Sequence, residues 1–112
     1  MKDDRLYLIH ILERIERIES YVQGGREEFV ASPMRQDAVI RNLEVIGEAA
    51  KCISEDLKQR YSDIQWRQIA GLRDVLIHQY MGVDVARVWN IVERDLIPLK
   101  IRIRNLLADP GT

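Results

Sequence analysis

The stretch "SPMRQDAVIRNLEVIGEAAKCISEDL", residues 32–57, carries the pattern from which the fold class follows. Ser32 in a capping position and Pro33 in the first helical position form a start signal, because the ring nitrogen's missing N–H has no intrahelical partner to lose there. From there Ile40, Leu43, Ile46 (or Gly47), Ala50, Ile53 and Leu57 recur at three- and four-residue steps, the signature of one apolar helix face. The opposite rows carry Arg41, Glu44, Glu48, Lys51 and Glu55. Gly47 and the pair Ala49–Ala50 leave so little bulk that a second helix can approach closely. The pattern predicts one long helix running through Leu57, with its apolar stripe buried against neighbours.

The same periodicity extends outward in both directions. Residues 4–23 place Leu8, Leu12 or Ile11, Ile15, Ile18 and Val22 on one face, with Asp3 or Asp4 as cap and Gly24–Gly25 as stop. Ser62 or Asp63 opens a third segment with Ile64, Trp66, Ile69, Leu72, Leu76 and Ile77, ending near Gly82. Asp84 caps a fourth with Val85, Val88, Trp89 and Val92, and "RDLIP" interrupts it. Pro98 is tolerable only in the first turn of a fresh helix or at a kink, so a last helix is expected from Leu99 to Leu107. Short punctuation between these segments predicts an all-α, antiparallel four-to-five-helix bundle forming a single domain over residues 1–112.

Composition agrees and excludes several functions. At 112 residues, 46% hydrophobic and 31% charged, the chain can bury a real core. With 17 basic and 18 acidic side chains, net charge −1, it has no global positive field for nucleic acid, so any such binding needs a local patch. A single cysteine, Cys52, excludes an internal disulfide and a cysteine-based zinc site and suits a reducing cytoplasm. The start "MKDDRLYLIH" resembles neither a signal peptide nor a membrane span, so a cytoplasmic protein without membrane contact is expected.

Chemistry concentrates in "GLRDVLIHQYMG", residues 71–82, which places Arg73, His78 and Tyr80 within eight positions. At about 100° per residue, Arg73 and Tyr80 nearly eclipse while His78 lies roughly 140° from Arg73. The three converge only if the helix frays near Gln79 or if a second copy supplies partners. A helix C-terminus and Asp74, four residues before His78, both favour a protonated imidazole, which suits general acid chemistry. The bland alternative is equally concrete: a histidine capping a last turn, Arg73 paired with Glu44 or Glu48, and Tyr80 closing the bundle end.

Other residue patterns are weaker. His10 has no acidic or histidine partner at metal spacing. Glu44 and Glu48 at i and i+4 suit a salt-bridged row better than a metal site. Trp66 and Trp89 fall in phase with their helices as core residues, and Cys52 reads as a small buried hydrophobe. Arg35, Arg41, Lys51, Lys58, Arg60 and Arg67 could make a basic surface, but interspersed acids favour a plain solvated one. No phosphate loop, serine elbow or zinc pattern is present in the sequence, so neither metal nor cofactor is expected.

"RDVLIHQY" reads as Arg, four residues, His, one residue, Tyr, the motif of HEPN domains. Together with "AVIRNLEVIGEAAKCIS", "IQWRQIAGLRDVLIHQYMGVD" and "VWNIVERDLIPL", the chain resembles the HepT-like branch of that superfamily from about Asp3 to Leu107. The resemblance implies a helical bundle pairing into a homodimer, with two motif copies at a shared cleft. It also implies a metal-independent endoribonuclease toxin of a type VII toxin-antitoxin pair, acting on tRNA or mRNA. Its antitoxin partner would be an MntA-like nucleotidyltransferase that silences it by attaching AMP to the motif tyrosine. Carried over, Arg73, His78 and Tyr80 are catalytic and Tyr80 is also the modification site, while Asp74, Asn42, Glu44 and Glu48 have supporting roles. The competing expectation is a non-catalytic, nucleotide-binding helical partner of a nucleotidyltransferase.

Overall fold

A computed structural model describes residues 2–72 and 84–110. The described residues form seven helices and no strand. In chain order they are α1 (Lys2–Tyr21), α2 (Gly25–Val30), α3 (Pro33–Cys52), α4 (Glu55–Arg60), α5 (Trp66–Ala70), α6 (Val85–Arg94) and α7 (Leu96–Ala108). α1 and α3 make the most extensive pairing, α7 packs along α1, and α5 packs on α3. Among the described residues no helix is long and apolar enough to cross a membrane.

The periodic faces become the core. Leu8, Ile11, Ile15 and Ile18 of α1 meet Val39, Leu43, Ile46 and Ala50 of α3, and Ile103 and Leu106 of α7 close the third side. Burial of this kind stabilises by about 1.5–3 kcal/mol per large side chain. Leu12 and Ile40 pack only partly against this core. Trp66 and Trp89 are core residues, as their phase predicts.

Helix boundaries follow local signals in some places and tertiary partners in others. Ser32 caps α3 as expected, its hydroxyl accepting from Arg35 N at 3.2 Å with Pro33 in the first turn. Asp84 caps α6, its Oδ1 accepting from Arg87 N at 3.2 Å. α7 begins at Leu96, three residues ahead of the expected start, and Pro98 sits in its first turn, where it removes no helical hydrogen bond.

Asp4 corrects the expectation of a local cap. α1 is already helical at Lys2, and the buried Asp4 carboxylate accepts from Ser54 N at 2.8 Å and Ser54 Oγ at 2.6 Å. Ser54 Oγ in turn accepts from Leu57 N at 3.2 Å and caps α4. Here the stripe expected as one helix to Leu57 breaks. Ile53 is extended (φ −67°, ψ 138°), α3 stops at Cys52, and α4 restarts after Ser54. Ile53 and Leu57 still reach the core, so the apolar period survives a break in the backbone.

One further boundary moved, and one short helix had no expected counterpart. Neither Ser62 nor Asp63 opens α5; Gln65 is its N-cap without a side-chain cap bond, and Ile64 is buried ahead of the helix. Asp63 instead pairs with Arg102 of α7, its two oxygens 3.0 and 2.8 Å from Nη2. The short α2 carries no readable period, yet it buries Phe29 completely. Phe29 meets Trp89 with ring centroids 5.4 Å apart at 39°. Gly25 opens α2 with φ +86°, a conformation that costs little only without a Cβ. Gln36 Nε2 donates to Phe29 O and Val30 O, both at 3.0 Å, satisfying carbonyls at the C-terminal end of α2.

Candidate functional site

Arg73, Asp74, His78 and Tyr80 lie outside the described residues, as do Leu76, Ile77 and the expected helix end at Gly82. The described structure fixes the two ends that hold this segment. Leu72, half-buried against the core, follows α5, and Asp84 begins the capped start of α6. The pairing of Arg73 with Glu44 or Glu48, weighed above, falls with them outside the described residues.

The three supporting residues on α3 do not share one face. Glu44 and Glu48 are about 40° apart around the helix, while Asn42 lies about 160° from Glu44. Asn42 is 4% exposed; its Oδ1 accepts from Arg14 Nη1 of α1 at 3.3 Å and its Nδ2 donates to Ala38 O at 2.8 Å. The amide is thus committed to the seam between α1 and α3. Half-buried Glu44 stands 3.6 Å from Arg41 and exposed Glu48 3.8 Å from Lys51, both as i,i+3 pairs. Among the described residues no group of three or more His, Cys, Asp or Glu side chains gathers.

The candidate basic surface is mostly neutralised. Arg35 pairs with Glu28 at 2.8 Å and Lys58 with Glu55 at 3.8 Å, while Arg60 lies 5.5 Å over the Tyr61 ring. Arg67 is exposed on α5. His10 is exposed on α1. Cys52 departs from its expected burial: the last residue of α3, it is exposed, because at about 100° per residue it lies roughly 180° from Leu43 and 120° from Ile46 on the buried face. It lies beside Tyr7, whose phenol is held above its ordinary pKa, first by the hydrogen bond to Cys52, then by charge on that thiol, burial and Asp3.

A groove of about 240 Å3 that no sequence pattern announced lies between α5, α6 and the first turns of α7. Its walls include Ile64, Ile69, Leu72, Leu96 and Leu99. Gln65, Gln68 and Arg94, all exposed, line it as well, together with the Arg102–Asp63 pair. These residues come from segments up to 39 positions apart, as Asp63 and Arg102 are, so local periodicity could not assemble them.

A family model described as "Ribonuclease HepT-like" matches residues 11–106. The "gamma-glutamylcyclotransferase and putative RNase" of Methanocaldococcus jannaschii is 42% identical over 109 residues, which is 96% of this chain and 49% of that protein. The chain therefore spans about half the length of that relative. The "probable ribonuclease HepT" of Thermococcus cleftensis is 45% identical over 101 residues, covering 89% of this chain and 92% of that protein. No solved structure matches the chain.

Proposed function

Because the chain belongs to the HepT-like ribonuclease family, we propose that it is a metal-independent endoribonuclease whose reaction is carried by Arg73, His78 and Tyr80. One observation carries the reading: the family match over residues 11–106 encloses the complete Arg73, His78, Tyr80 pattern. The relatives named as ribonucleases support the same reading.

The residue chemistry supplies a balanced mechanism. An RNA 2'-hydroxyl attacks the adjacent phosphorus; the P–O5' bond breaks, and a 2',3'-cyclic phosphate and a 5'-hydroxyl remain. The nucleophile belongs to the substrate, so the protein's task is proton movement and charge stabilisation. The Arg73 guanidinium donates paired N–H groups to the phosphate as negative charge grows on it. His78 moves a proton to the leaving oxygen or from the nucleophile, and a homodimer provides one histidine for each task. Tyr80 hydrogen-bonds the phosphate or orients His78.

The same tyrosine offers a switch. In a toxin-antitoxin pair, an MntA-like nucleotidyltransferase would direct the Tyr80 oxygen onto the α-phosphorus of ATP and release pyrophosphate. The attached AMP adds bulk and a negative charge at the site where RNA phosphate binds, blocking it by sterics and repulsion.

Incubating the purified protein with total RNA in EDTA tests the reading, with fragments ending in cyclic phosphate as the expected product. His78→Ala is expected to abolish them, and a His78→Ala protein that cuts equally well refutes the assignment. Nucleotide binding that depends on Arg73, without any cleavage, would identify a binding module instead. Mass spectrometry of protein coexpressed with a neighbouring nucleotidyltransferase tests AMP on Tyr80.

A further inference from the structure

The groove between α5, α6 and α7 has a shape and chemistry that the motif does not account for. Its volume, about 240 Å3, falls below the roughly 300–1,000 Å3 typical of sites for drug-sized ligands, so it suits a small group such as one ring system. Ile64 and Leu96 are buried in its walls and Ile69, Leu72 and Leu99 are half-buried, a carbon surface against which a flat ring loses little by leaving water. Gln65, the N-cap of α5, and Gln68, in its first turn, both line the groove with polar amides.

We propose that this groove is a nucleobase subsite that takes one unstacked base of single-stranded RNA, an inference that rests on the ribonuclease function proposed above. Each glutamine amide presents a carbonyl acceptor and two N–H donors, the complement of a base's polar edge. Sequence-dependent RNA recognition works this way, on splayed bases held by ring contacts and edge hydrogen bonds. Arg94, exposed along the same groove, supplies a cation for the phosphate beside the base. An aliphatic protein side chain would fill the walls and leave both amides unused, whereas a base uses the walls and the amides together.

Chain connectivity links the subsite to the reaction. Leu72 lines the groove, and Arg73 is the next residue in the sequence. The subsite therefore adjoins, along the chain, the motif to which the reaction is assigned above. The subsite selects which nucleotide is cut without itself moving a proton.

Fluorescence anisotropy with short single-stranded RNA methylated at every 2'-hydroxyl reads binding alone, because the nucleophile is blocked. Oligonucleotides varied at one position, with an abasic version of each, are titrated against wild-type protein and a Gln65→Ala/Gln68→Ala variant. Wild type is expected to favour one base by about tenfold, to lose that preference on the abasic strand, and to lose it equally in the variant. Both glutamines are exposed, so the melting curve of the variant should match wild type. Base-independent binding by wild type, no binding at all, or a base preference retained by the variant overturns the subsite. Base-dependent binding that the variant loses, in a protein that leaves unmodified RNA intact, keeps the subsite and removes the nuclease reading. A variant altered in sedimentation but not in RNA binding assigns the groove to a protein partner and overturns the proposal.

Discussion

Replacing Asp4 by alanine should destabilise the chain more than any other single charge removal at the N-terminal end of α1. The carboxylate is 3% exposed and accepts from both Ser54 N and Ser54 Oγ, at 2.8 and 2.6 Å. Hydrogen bonds to a charged group are worth about 1.5–3 kcal/mol each. The two share one partner and do not add fully, so about 3 kcal/mol is expected. That is a large share of the roughly 5–15 kcal/mol that separates folded from unfolded domains. With about 4 °C lost per kcal/mol for a domain near this size, the midpoint should fall by roughly 12 °C. Urea unfolding followed by circular dichroism measures the change, at two protein concentrations so that any dimerisation is separated from folding. Ser54→Ala removes one of these bonds and the α4 cap together, and should cost about 2 kcal/mol. Because both substitutions delete the same bond, the double variant should fall short of the sum by about 1 kcal/mol or more. Strict additivity, or an Asp4→Ala loss below about 0.5 kcal/mol, would refute the view that this contact joins the start of α1 to the break between α3 and α4.

Phe29→Ala should cost about 3–5 kcal/mol in the same assay, since the ring is fully buried against Trp89. Gly25→Ala should cost about 1–2 kcal/mol, because a Cβ is strained at φ +86° even though the space around it is open. Cys52→Ala should lower the Tyr7 pKa toward its ordinary value, read as tyrosinate absorbance during alkaline titration, because Cys52 is the largest cause of the rise. The sign for stability follows: a raised folded-state pKa gives a contribution fully present below about pH 10, the unfolded value, and lost as pH climbs through the higher folded one. Cys52→Ala should therefore remove part of a stability loss confined to strongly alkaline pH, and an unchanged Tyr7 titration would refute the contact.

The parts of the fold legible in the sequence are those that a short window of residues decides. Leu8, Ile11, Ile15 and Ile18 recur at helical period and all reach the core, because period alone determines which side of a helix turns away from water. Ser32 and Asp84 cap where they were expected to, since each hydroxyl or carboxylate needs only a backbone N–H three residues on. Pro98 marks a first turn for the same local reason. Misreadings occur where a distant partner outcompetes the local one. Asp4 leaves its own helix end for Ser54, fifty residues away. Asp63 leaves the start of α5 for Arg102. The helix expected to run through Leu57 breaks at Ile53 beside the Asp4–Ser54 contact, and α2 is too short for any period to show.

For the site, the division runs differently. The Arg73, His78, Tyr80 spacing and the family to which the chain belongs are properties of the residue order, because the three candidate groups sit within eight consecutive positions. The sequence by itself therefore determined an all-helical core and a candidate reaction. Only the tertiary structure decided that the Asn42 face meets α1, where Arg14 donates to its amide oxygen. Only it brought Gln65 and Gln68 to the same groove as Leu99 and Arg102. Periodicity orients side chains around a single helix axis, but it carries no information about which helices stand side by side.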